Sequence, residues 1–159
     1  CLTIAWSSRL QSQAPFLAVA RPLMRNVMCP EATPLFSEYD CRKSCVLEAR
    51  FSVVGLYVIV EAYPKAATQS VHLEVFFPEH RGFALLDEGD MPSWLGAECF
   101  HTDHIVYHVS NGGWFSTRNP NDCFLQIAST QCSEWIVVTA NECVSVFSSS
   151  EPRIRELSV

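Results

Sequence analysis

The run Val53-Val54-Gly55-Leu56-Tyr57-Val58-Ile59-Val60 constrains this chain more than any other stretch, because eight successive residues carry no polar side chain except one tyrosine hydroxyl. Just upstream, Leu47, Ala49, Phe51 and Val53 alternate with Glu48, Arg50 and Ser52, the period-two pattern of a strand with one wet face. Beyond Val53 the polar residues vanish, which calls for a strand covered on both faces or one passing between two sheets. Gly55, where the pattern changes, suits a bulge or a close backbone approach. A β core is therefore expected, with residues 46–63 at its centre.

Other stretches repeat the signal. Residues 71–77 (VHLEVFF) alternate, and a short polar connection over 63–69 makes them the antiparallel partner of the central run. Residues 104–110 (HIVYHVS) alternate as well. Asn111-Gly112-Gly113 then signals a tight turn, with residues 114–117 expected to return. Three more strands are expected at 123–128, 135–140 and 143–147, and two shorter ones at 2–6 and 16–20. Pro15, Pro22, Pro30 and Pro34 break any long helix in the first part of the chain, which leaves residues 35–43 as a place for one short helix. Residues 148–159 read as a tail, or as an added edge strand. The length of 159 residues fits one domain. The expectation for 1–159 is a mainly β fold: an antiparallel β-sandwich of about eight short strands, with at most one or two short helices.

The cysteines add a second constraint. Cys1, Cys29, Cys41, Cys45, Cys99, Cys123, Cys132 and Cys143 are even in number, spread along the chain and never in CxxC spacing. They read as a set of disulfides stapling the sandwich, and hence as a secreted protein in an oxidising, extracellular compartment. The start at Cys1 without a methionine fits a processed chain. The longest apolar run, eight residues, is far short of the roughly 20 a membrane-spanning helix needs.

A formal net charge of −6 offers no basic field for nucleic acid. It fits solubility and, secondarily, a basic protein partner. Residues 78–103 combine prolines, glycines, acids and large apolar groups, a composition that suits a short strand at 83–86 plus a helical turn packing Trp94. The sharper reading is a partner-binding loop built from Phe83, Asp87, Glu88, Asp90 and Trp94, joined by Trp114 and Phe115 beside the Asn-Gly turn. His101, His104 and His108 are weak candidates for a metal site, with Asp103 or Glu98 as a further ligand, and no cofactor is expected. No P-loop, G-x-S-x-G elbow or HExxH is present. The favoured function is an extracellular protein-binding domain: a recognition protein, a receptor or ligand ectodomain, or a secreted effector. The alternative is a small secreted hydrolase or metal-dependent enzyme using residues 101–108.

Overall fold

The structure is a computed structural model that describes residues 30–87, 98–101, 103–115 and 132–158. Those residues form nine strands and no helix: β1 (Glu31–Ser37), β2 (Cys45–Ser52), β3 (Gly55–Ala62), β4 (Val71–Phe77), β5 (His80–Asp87), β6 (His104–Asn111), β7 (Ser133–Val138), β8 (Glu142–Ser148) and β9 (Arg153–Leu157). They assemble into two antiparallel sheets. One has five strands in the order β1-β6-β7-β8-β5, the other four in the order β2-β3-β4-β9. The expected strands at 2–6, 16–20 and 123–128 lie outside the described residues.

The alternation in β3 and β4 fixes which way the smaller sheet faces. Leu56, Val58, Val60 and Ala62 stand opposite Phe77, Val75, Leu73 and Val71, so they share one face. That face meets Ile105, Val106, Trp135, Val137, Val144 and Val146 of the larger sheet in one apolar cluster. Twelve of these side chains are wholly shielded from water, and the transfer gain is about 1.5–3 kcal/mol for each large one. The larger sheet is apolar on its other face too, where Tyr107, Val109, Ile136, Val138, Cys143 and Leu86 pack with Phe100 and Trp114.

Three local expectations are corrected. Residues 46–63 are not one strand but a hairpin, β2 and β3, turning at Val53-Val54 with Ser52 opposite Gly55. The two valines are β-branched and unsuited to positive φ, so it is Gly55 that takes the unusual backbone, at φ +150°. Residues 35–43 do not form a helix. Pro34 to Ser37 belong to β1, an edge strand whose register shifts between Pro34 and Phe36, and an edge or bulge is where a sheet tolerates proline. Trp114 and Phe115 sit in a turn, and β6 pairs instead with β1 and β7. After Ser148 the chain adds the edge strand: β9 pairs with β4, with Arg155 opposite Glu74 and their side chains 2.7 Å apart.

The bridges expected among the cysteines are not formed between the described ones. Cys41, Cys45, Cys132 and Cys143 carry thiols, and the Cys99 sulfur lies 3.2 Å from the Pro30 carbonyl oxygen. Cys1, Cys29 and Cys123 lie outside the described residues.

A methyl group on Gly55 would meet the Phe76 ring and the Phe77 carbonyl oxygen at 2.5 Å, on a backbone that L residues rarely adopt. Gly55→Ala is expected to cost about 2–4 kcal/mol in urea unfolding. A loss under about 0.5 kcal/mol, the usual range for surface substitutions, would show that the hairpin turn relaxes freely.

Candidate functional site

The exposed large apolar side chains gather in two elements. Leu47, Phe51, Val53 and Val54 belong to β2 and its turn, and Phe83 and Leu85 to β5; these six are the large hydrophobics most open to water among the described residues. Register explains why. Ala49 and Phe51 stand opposite Val58 and Leu56, and Phe83 and Leu85 opposite Val146 and Val144. All four therefore lie on the inward faces, the same faces that form the buried core one strand further in. Because β2 and β5 each end a sheet, the interior layer runs out into solvent between them. Phe51 and Phe83 meet across the opening with ring centroids 6.4 Å apart, yet remain 69% and 38% exposed. Surface of this kind marks interaction sites rather than ordinary exteriors.

The edge is only lightly guarded. β2 has a register shift at Leu47, and an ion pair between Glu48 and Arg50 (3.1 Å) on its outer face, where Arg50 also lies over the Tyr57 ring. On β5, residues 82–86 contain neither charge nor proline. Of the residues singled out from the sequence, the structure brings Phe83 and Asp87 to this edge, both exposed on β5. Glu88, Asp90 and Trp94 lie outside the described residues.

Trp114 and Phe115 lie elsewhere, over the outer face of the larger sheet. Phe115 is buried against Phe147, ring centroids 5.1 Å apart, and Trp114 is partly buried against both outer clusters. Their turn is held by Glu134 of β7. Its carboxylate accepts hydrogen bonds from Trp114 N (2.7 Å), Phe115 N (3.2 Å) and Ser145 Oγ (2.6 Å). A Cβ on Gly113 would collide with that carboxylate, so the backbone can approach this closely only as glycine. Burial pushes the Glu134 carboxyl above its ordinary value, and the three donors pull it back only in part.

The three histidines lie in β6 and just before it. His104 and His108 share a face of β6, with His104 Nδ1 3.4 Å from the Phe36 carbonyl oxygen and the His108 ring against Trp135. His101 precedes the strand and is exposed, and its carbonyl accepts the Tyr107 hydroxyl at 2.5 Å. Asp103 pairs with Lys65 (3.0 Å) and His104 (3.7 Å). Among the described residues no three His, Cys, Asp or Glu side chains converge as a ligand set. Three of the described thiols are poor nucleophiles. Burial pushes Cys143 up to about 12, burial raises Cys41, and burial with the Glu61 carboxylate raises Cys45, so these three stay protonated and weakly nucleophilic.

Sequence reasoning passed over Phe51 and Leu85. Alternation gives a side chain's face but not its strand's place in the sheet, and only that place tells a core phenylalanine from an exposed one. The absence of charge across 82–86 was the one available signal. No family model, curated protein or solved structure matches this chain.

For Glu134 the sign of the pH effect follows from its raised carboxyl. Between the ordinary glutamate value and the value in the fold, the native state keeps a proton that the unfolded chain has released. Stability therefore falls as pH rises through that window. Glu134→Gln is expected to flatten this part of the pH–Tm curve in melts taken from about pH 4 to 7. An unchanged slope would rule Glu134 out as its source.

Proposed function

We propose that this chain is an extracellular protein-binding domain that works through the apolar opening between β2 and β5. The observation that supports this reading is the continuity of the core layer into solvent at Ala49, Phe51, Phe83 and Leu85. A hydrophobic centre flanked by charged residues, here Glu48, Arg50 and Asp87, is the usual composition of a protein contact. The acidic net charge favours a basic partner at the rim. In this reading the two-sheet body is a rigid support. Binding is carried by a strand edge rather than by the loop expected from the sequence, and Phe83 and Asp87 are common to both.

The extracellular assignment rests on the even count and wide spacing of the eight cysteines. It includes disulfides formed in the mature protein, a finer claim than two antiparallel sheets require. Thiol titration of denatured, unreduced native material tests it. This reading requires fewer titratable thiols than the four that the structure gives Cys41, Cys45, Cys132 and Cys143, and most of the eight titrating as free would remove both the bridges and the compartment.

Phe51→Ser combined with Phe83→Ser alters two exposed side chains and should leave the circular dichroism spectrum intact. For a saturable protein ligand, this chain included, the pair is expected to weaken binding at least about tenfold, as loss of central aromatic anchors does. His101→Ala, His104→Ala and His108→Ala together should leave the same affinity unchanged. The opposite pattern, with binding insensitive to the phenylalanines and lost with the histidines, would move the site to residues 101–108.

A further inference from the structure

We infer that the outer face of the smaller sheet takes a third aromatic ring, the tyrosine sulfate of a protein partner, between Phe76 and Arg153; that the occupant belongs to a protein rests on the binding role proposed above. One row of residues crosses all four strands of this sheet. Arg50 stands opposite Tyr57, Tyr57 opposite Phe76, and Phe76 opposite Arg153. The row faces away from the core, since Tyr57 and Phe76 alternate with the buried Leu56, Val58, Val75 and Phe77. The Arg50 guanidinium lies 4.9 Å from the Tyr57 ring centroid, and the Tyr57 and Phe76 centroids are 4.4 Å apart with the planes at 27°.

These separations match the roughly 4.8 Å between neighbouring strands, so the rings stand on edge and stack along the row. Gly55 makes room for this, because a Cβ there would meet the Phe76 ring at 2.5 Å. The ladder stops at its fourth place, over β9. Arg153 is exposed, and among the described residues its guanidinium joins no ion pair and lies over no ring. The face of Phe76 turned away from Tyr57 therefore meets neither a second ring nor a cation among those residues. β9 ends its sheet, so this place is open from the side as well as from above.

A flat ring set on that face continues the stack, and the guanidinium beside it supplies the counter-charge for an acidic group on the same ring. Tyrosine sulfate joins the two in one side chain, and its sulfate ester keeps a single negative charge at any physiological pH. The acids of the adjoining row do not compete for Arg153. Glu48 is paired with Arg50 (3.1 Å) and Glu74 with Arg155 (2.7 Å). Salt screens charges more than about 8 Å away, so the net charge of −6 spread over the chain does little to repel one sulfate here. One sulfate also leaves the partner free to be basic elsewhere.

The test is an amide NMR titration of the full 159-residue chain with short peptides that differ only in carrying tyrosine, tyrosine sulfate or tyrosine phosphate. The sulfated peptide is expected to bind saturably and about tenfold or more tightly than the unmodified one, with the shifts centred on Phe76 and Arg153. Arg153→Gln changes an exposed side chain and should weaken binding about tenfold, and Arg153→Lys should recover part of the loss. Phe76→Leu keeps an apolar side chain without the ring and should weaken it about fivefold or more. Phe51→Ser with Phe83→Ser should leave the peptide affinity unchanged. Equal affinity for sulfated and unmodified peptides, or for the unmodified chain and Arg153→Gln, overturns the site. A phosphate peptide bound about tenfold more tightly than the sulfate one overturns the assignment to sulfate. If no peptide binds while Phe51→Ser with Phe83→Ser still abolishes capture of a foreign extracellular protein, the sulfate site falls and the opening between β2 and β5 stands.

Discussion

Everything in this fold depends on one dry layer, the contact between Leu56, Val58, Val60, Leu73, Val75 and Phe77 on one sheet and Ile105, Val106, Val137, Val144 and Val146 on the other. Neither sheet could stand alone in water with such a face. A loss of a few methylene groups here leaves a void that the flanking strands cannot fill, because close-packed interiors relax only in part. The valine-rich β3 lies inside its sheet, between β2 and β4, so it receives partners on both edges and on its inner face. That is the physical meaning of its nearly uninterrupted apolar run.

The layer is finite, and its end is where the molecule becomes interesting. The larger sheet is covered on both faces, its outer one by Phe100 on Tyr107 and by the Trp114–Phe115 turn held on Glu134. Its far edge, β1, is interrupted by Pro34 and by register shifts. The smaller sheet ends at β9, whose Glu156 points toward the inner face and is met there by the Tyr39 hydroxyl. Two of the four sheet edges, β1 and β9, are thus irregular or polar. Among the described residues, only the β2–β5 side leaves apolar residues on the inward faces of both sheets open to water, and this contrast between margins, more than any single side chain, singles it out.

Much of this was legible in the amino-acid order. Alternation located β3, β4, β6, β7 and β8 to within a few residues, because each has one face in a core and period-two patterning reports that directly. It failed where a different constraint governs. Val53-Val54 continue the apolar run but form a turn, since the chain must reverse to pair β2 with β3 and Ser52 and Gly55 provide the closure. β1 was hidden by Pro34, which forbids a central strand but not an edge one. For the site, Phe83 and Asp87 could be picked out as unusual. Phe51 could not, because its pattern is that of a core residue and its exposure comes from the strand order, which only distant pairing sets.

Ser44 carries a consequence beyond its size. Fully buried in the crossover from β1 to β2, it donates its hydroxyl to the Asp40 carbonyl and accepts the Tyr63 amide at the end of β3. Its own carbonyl accepts the Ala140 amide in the turn between β7 and β8. One hydroxyl and one peptide group thus rivet the margin of each layer to the same point. The amides of Ser44, Tyr63 and Ala140 should then lose deuterium protection in a single concerted event. The clasp would open as a unit, and the two layers would begin to part at this corner before the valine seam between them gives way.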